Sequence, residues 1–367
     1  MWGRALLGTG ALVLAVGLAA CTSDPSPARD ASRSNGSASA SPQARVTAAA
    51  PLPDWDRAAA AGRVDDLVDA EGSSWSALHT VLVSQDGELQ LERHYGGRSD
   101  APQDVSTVTA TVVGTLAGIA VRQGRLALED RLVSMLPDHG ADMSPLVGSI
   151  TLRQLLTMQS GLPADLRRDT RPWFASAPDW ATAILGHGLS GAPTEFSYTT
   201  ANAQLVGEAV HEATGTSLSE YAERTLFRPL GITRQVSWPV RRATDEDVAF
   251  GGLALDAREL LALGQLYLDG GDVDGRRVLS SSWVRAATQD QQFALDPGGY
   301  GYGYLWWVRD FNGFTTYAAL GEGQQLLEVV PDLGLVVVAL GDLDPSLGLD
   351  GASLQAVLNT ALLPDGP

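Results

Sequence analysis

Residues 105–128, VSTVTATVVGTLAGIAVRQGRLAL, decide how the rest of the chain is read. The stretch is apolar and rich in small side chains, as a helix buried on every side must be, and Gly124 is the residue type that closes a helix. Its first turn is crowded with the hydroxyls of Ser106, Thr107 and Thr109. Ser or Thr there can cap the exposed backbone N–H groups, and a nucleophilic hydroxyl at that place would sit beside the positive end of the helix dipole. A hydroxyl attacks only if a neighbour takes its proton. The residue three positions along the same face from Thr107 is Ala110, which takes none.

On the N-terminal side, residues 56–71 suggest a helix, and ALHTVLVSQDGELQLERHY (77–95) alternates as two strands joined at Gln85-Asp86-Gly87. On the C-terminal side, ITLRQLLTMQSGLP (150–163) reads as a short extended lead-in, a helix and a Ser-Gly stop. Residues 178–187 and 200–214 add amphipathic helices. DARELLALGQLYLDGG (256–271) and SSSWVRAAT (280–288) are further helices on either side of the turn in DVDGRRVL. Strands then return in GYLWWVRDF (303–311), FTTYAAL (314–320) and QLLEVVPDLGLVVVALGD (325–342), with Pro331 to Gly334 as the last turn, and residues 352–363 close the chain as a helix. Strand pairs at both ends of a helical middle imply that the first hairpin joins the C-terminal strands in one sheet. The fold class is therefore α/β of the α+β kind, with a cleft where the helical insert meets the sheet. Residues 54–104 and 255–367 are expected to form mainly the sheet part, and 105–254 mainly the helical part.

The chain has 367 residues, 44% hydrophobic and 19% charged, enough for a large core. Residues 1–21, MWGRALLGTGALVLAVGLAAC, combine Arg4, an apolar run and small residues before the sole cysteine, the pattern of an export signal. Leu18-Ala19-Ala20-Cys21 resembles a bacterial lipobox, which implies cleavage before Cys21 and a lipid on its thiol, holding the protein at the outer side of the cell membrane. Residues 22–53 are Ser/Ala/Pro-rich and read as a flexible tether. A net charge of −18 argues against nucleic acid as a partner. All 25 basic residues are arginine. With no lysine, no side-chain amine can act as a base, and guanidinium stays protonated.

GELQLERHYGG, GIAVRQGRLALEDRLVSMLPDH, ITLRQLLTMQSGLP, FSYTTANAQLVGEAVHEATGTSLSEYAERTLFRPLGI, AFGGLALDARELLALGQLYLDGG and YGYGYLWWV occur in this order. In them the chain resembles the serine β-lactamase and penicillin-binding-protein superfamily, in particular its class C-like esterase and amide-hydrolase branch. The resemblance covers nearly the whole domain and implies an antiparallel sheet flanked by helices plus an all-helical subdomain.

Three motifs of that superfamily carry its chemistry. S-x-x-K, whose serine is acylated and whose lysine deprotonates it, falls on Thr107-Val108-Thr109-Ala110, so both functional positions are changed. A slip of one residue offers Ser106 and leaves Thr109 as the base. Y-x-N falls on Tyr198-Thr199-Thr200 and keeps the tyrosine, whose phenol, with a pKa of about 10, is a poor base without a cation beside it. The strand motif, K-T-G or H-x-G, falls on Ala319-Leu320-Gly321, or in a shifted register on Gly321-Glu322-Gly323, and neither begins with a cation or histidine. A backbone N–H outlasts any side-chain change, so part of an oxyanion hole is expected near residues 107 and 320. Glu322, if it faces the cleft, would repel a ligand carboxylate. Gln325 matches a strand glutamine of the superfamily and is either a ligand contact or packing beneath the strand.

The five histidines, His79, His94, His139, His187 and His211, lack metal spacing and fall in none of the three motifs. Asp269, Asp272 and Asp274, and likewise Asp342, Asp344 and Asp350, lack a calcium-loop pattern, so neither metal nor cofactor is expected. Trp306, Trp307, Tyr302 and Tyr304 read as sheet core, with any on the cleft side able to stack on a ligand. The expected molecule is a lipid-anchored envelope protein whose acylation machinery is gone and whose cleft binds a cell-wall fragment or an envelope protein. The alternatives are a weak esterase or amidase using Thr107 with Tyr198, and a purely structural module.

Overall fold

Seven strands form one antiparallel sheet in which the N-terminal hairpin is sewn onto the C-terminal strands. β1 (Leu78–Gln85) and β2 (Glu88–His94) make the hairpin, and β1 pairs on its other side with β11 (Leu335–Gly341). From β11 the order continues through β10 (Gln325–Val330), β9 (Phe314–Gly321), β8 (Trp307–Phe311) and β7 (Gly301–Tyr302). Short pairs of β3 (Gln103–Asp104) with β4 (Ala254–Leu255), and of β5 (Asp272–Val273) with β6 (Arg276–Arg277), lie outside the sheet. The computed structural model describes residues 55–69, 75, 77–96, 101–163, 179–240, 247–292, 299–342 and 351–364. Cys21, the tether at 22–53, and Asp344 and Asp350 lie outside the described residues. Among the described residues no helix is long and apolar enough to cross a membrane.

The sheet is apolar on both faces because each is covered. Val108, Val112, Leu116 and Ile119 of the central helix, and Leu260 and Leu263 of the helix Ala257–Leu268, share one buried cluster with Tyr317, Leu327 and Val336 on one face. Residues of the helices Arg57–Asp69 and Gly351–Leu362, among them Val64, Leu354 and Leu358, pack with Val81, Leu326 and Val337 on the other. β10 and β11 are buried along their whole length; β11 is apolar throughout, and β10 is apolar but for Gln325 and Glu328.

The central helix spans Val108–Arg122, shorter at both ends than the apolar stretch, and Gly124 follows it in the left-handed conformation that stops a helix. Its flanking hydroxyls do not cap it: Thr107, at the N-cap position, makes no side-chain cap bond. The expected strand at 303–311 also divides. Residues 303–306 turn, with Leu305 at φ +59°, because the Leu305 N–H donates to Leu156 O and its carbonyl accepts from Thr111 Oγ1 at 2.7 Å. Those bonds tie the loop to the helical layer and leave β8 to begin at Trp307. The helices Leu152–Leu156, Trp180–His187, Thr200–Thr214, Ala257–Leu268 and Ser281–Ala287 fall within the stretches read from the sequence.

Candidate functional site

The chain reaches the central helix through a turn held on both sides. The Val105 N–H donates to Leu253 O, and Asp104 Oδ1 accepts from Ser106 N at 2.7 Å and from Gly252 N at 3.0 Å. Ser106 sits fully buried at φ +57°, a conformation that serine adopts only when its surroundings impose it. The turn then meets the end of β9. Thr107 Oγ1 donates to the Leu320 carbonyl at 2.8 Å, and the Glu322 N–H donates to Ser106 Oγ at 3.1 Å. Gly321 allows this approach, because a Cβ there would stand 3.0 Å from Val105 O and 2.8 Å from Gln325 Cβ.

The hydroxyls that read as helix caps are therefore a clasp between the turn and a strand more than 200 residues away in sequence. A carbonyl oxygen accepts a hydrogen bond from Thr107 without taking its proton. It also presents the negative end of a dipole to the hydroxyl, the wrong sign for a developing oxyanion. Near residues 107 and 320, where a backbone donor is expected, the Glu322 N–H is the one seen, and it is bonded to Ser106 Oγ. Ala110 is 5% exposed in the core, its N–H bonded to Thr107 O, with nothing polar to offer. Thr109 is fully buried and accepts from Leu253 N at 3.3 Å, so in the shifted register too the base position is committed to the backbone.

Tyr198 approaches the same end of the sheet by packing. Its ring stacks on Trp307 with centroids 5.4 Å apart and meets Tyr302 edge-on at 6.3 Å, and Trp307 pairs across the sheet with Ala318, the neighbour of Ala319. Burial, and after it the neighbouring Tyr198, push the Tyr302 phenol well above an ordinary tyrosine. The Tyr198 loop is fixed from below. Met158 O accepts from Ser197 N, and buried Asn202 joins Ser160 Oγ to Met158 Sδ.

Several expected ligand contacts are buried. Thr200 is 3% exposed at the first position of its helix, which is capped by Thr199 through the Ala201 N–H at 3.2 Å. Gln325 is fully buried. Its Nε2 donates to Gly323 O and to Gly341 O, each at 2.7 Å, and its Oε1 accepts from Gln103, so of its two readings packing beneath the strand is the one found. Ala319 is buried toward the helical layer, while the Leu320 side chain packs on the opposite face. Trp306, Tyr302 and Tyr304 are core, and Trp307 is half-buried. Asp104 and Asn202 were missed in the sequence. The sole cue for Asn202 was its place on a helix face that is otherwise apolar.

No group of three or more His, Cys, Asp or Glu that could hold a metal ion occurs among the described residues. His79 and His94 flank Thr80 Oγ1 at 3.2 and 3.3 Å, His139 meets Thr182 at 3.2 Å, and His211 bonds Thr216 O at 3.0 Å.

A central helix opened by a hydroxyl turn, clasped to the end of an antiparallel strand beside an aromatic loop, can be compared with known proteins. A family model described as Beta-lactamase matches residues 29–361. The chain belongs to that family. It is 28% identical over 295 residues to the 6-aminohexanoate-dimer hydrolase of Paenarthrobacter ureafaciens, covering 71% of each chain. It is 25% identical over 275 residues to Penicillin-binding protein 4 of Amycolatopsis lactamdurans, covering 66% of this chain and 72% of that one. The crystal structure of a penicillin-binding protein homologue from Caulobacter crescentus superposes with a TM-score of 0.64 at 17% identity, over 84% of this chain and 98% of that one. The β-lactamase fold is thus present.

Proposed function

We propose that this β-lactamase-family chain is an exported, lipid-anchored envelope protein that does not acylate and that acts by binding a ligand or partner in its inherited cleft. The observation that carries the reading is the Thr107 hydroxyl: its O–H donates a hydrogen bond to the Leu320 carbonyl at 2.8 Å, which takes no proton from it, and Ala110 fills the position of the base. A nucleophile and its base act as a unit, and losing both removes on the order of 10⁴ to 10⁶ of the rate, leaving binding. The signal-like residues 1–21 and Cys21 support the address, and a cell-wall fragment or an envelope protein is the ligand class that such an address offers.

Intact-mass analysis after exposure to a labelled β-lactam or fluorophosphonate tests the first half of the reading. No adduct is expected, and an adduct mapped to Thr107 would establish instead the esterase or amidase alternative with Tyr198. A thermal-shift screen with muropeptides tests the second half. A raised midpoint is expected for a ligand binder, and an unchanged one would leave a scaffold.

A further inference from the structure

Behind the strand that carries Ala319 to Gly321, the sheet buries an acid for which the site has no use. Glu328 lies in β10 between Ala318 of β9 and Val337 of β11, and it is 0% exposed. The helix Gly351–Leu362 lies over it and lowers two amides onto it. Gln355 Nε2 donates to Glu328 Oε1 at 2.6 Å, and Asn359 Nδ2 donates to the same oxygen at 3.0 Å. Two acceptors are left over. Glu328 Oε2 and Asn359 Oδ1 are both buried with no hydrogen-bond partner. A carboxylate here would be a charge out of water that satisfies only one of its oxygens, whereas one proton removes the charge and turns an acceptor into a donor.

The surroundings supply little countercharge. The helix, GASLQAVLNTAL, has no titratable side chain, β9 contributes Thr316, and β11 contributes Val337. Arg309 of β8 is hydrogen-bonded to Glu328 through a relay, donating to Tyr300 OH at 3.1 Å, which donates to Gln355 Oε1 at 2.9 Å, and its charge acts on the acid across that distance. From the helix Arg57–Asp69, Arg63 Nε bonds Ala361 O at 2.6 Å, near the far end of the covering helix. None of the described residues forms an ion pair with Glu328.

We propose that Glu328 stands in the folded protein as the neutral acid and that its proton latches the helix Gly351–Leu362 to the sheet, so that ionisation loosens the helix behind the site strand. Burial pushes the carboxyl up, against the pull of the Asn359, Gln355 and Thr316 side chains and of the Arg309 charge. The folded chain therefore keeps the proton to higher pH than the unfolded chain. The stability from this group is whole below the unfolded value of about 4.3 and is lost as pH rises through the folded value.

The test is hydrogen exchange of residues 351–362 in the full chain between about pH 5 and about pH 9, corrected for intrinsic base catalysis, in the wild type and in Glu328→Gln. The wild type is expected to lose protection of this helix as pH rises, while the amide variant, which copies the neutral acid, keeps it throughout. Equal pH dependence in the two proteins overturns the proposal, as does a wild type whose helix is protected equally across the range. If the variant fails to fold, the wild type alone decides by infrared spectroscopy. A protonated-carboxyl band that titrates together with the helix's exchange is expected, and the absence of such a band refutes the latch.

Discussion

Restoring Thr107→Ser and Ala110→Lys together should give this chain a hydrolytic activity that neither change gives alone. Ala110 is 5% exposed and lies one helical turn beyond Thr107, so a lysine placed there would be desolvated and shifted toward its neutral, basic form. Burying the longer side chain should cost about 1–3 kcal/mol through overpacking, which a domain with a stability of about 5–15 kcal/mol survives. The serine must also leave the Leu320 carbonyl, a bond worth on the order of 1 kcal/mol, or about fivefold in rate. A positioned base contributes about 10²- to 10⁴-fold, which exceeds that loss. The assay is release of a phenolate from a simple aryl ester, read beside acylation by intact mass. The double variant is expected to exceed each single variant by at least about 10²-fold and to carry its adduct on residue 107. A double variant that folds and is no faster than either single variant would refute the reasoning that the missing nucleophile and base act here as a unit.

Two further outcomes concern stability. Ser106→Gly relieves a left-handed serine worth about 1–2 kcal/mol, but it removes the buried oxygen that accepts the Glu322 N–H, a loss of about 1–3 kcal/mol. A lower midpoint in denaturant is therefore expected, and a clear gain would show that the clasp contributes little. Arg234→Ala strips the guanidinium from Glu259, which is 9% exposed and keeps the Asp256 N–H, and with the arginine itself about a third exposed it should cost about 1–3 kcal/mol by thermal or chemical unfolding, whereas no measurable loss would mean that the pair is solvated.

The architecture was legible because it is written in local periodicity. Val/Leu runs marked β10 and β11, Asp86-Gly87 marked the hairpin, and the small-residue stretch before Gly124 marked the central helix. The assignment of the motif positions to 107, 110 and 319 rests on counting from flanking matches. What the sequence concealed were bonds between distant segments. A hydroxyl before a helix is locally a cap, and nothing near Thr107 reveals that Leu320 O competes for it, or that Glu322 N finds Ser106. The turn inside GYLWW was hidden for the same reason, since Leu156 and Thr111 impose it from the helical layer. Gln325 looked equally able to face a ligand or the core until Gln103 and Gly341 were placed around it.

The whole account turns on whether anything removes the proton from Thr107, and steady-state turnover of a simple aryl ester by the purified wild type beside Thr107→Val measures this most directly. The two proteins are predicted to be indistinguishable from each other and from buffer. Rapid turnover by the wild type that disappears in Thr107→Val would show that the hydroxyl attacks despite its bond to Leu320, and would contradict the account.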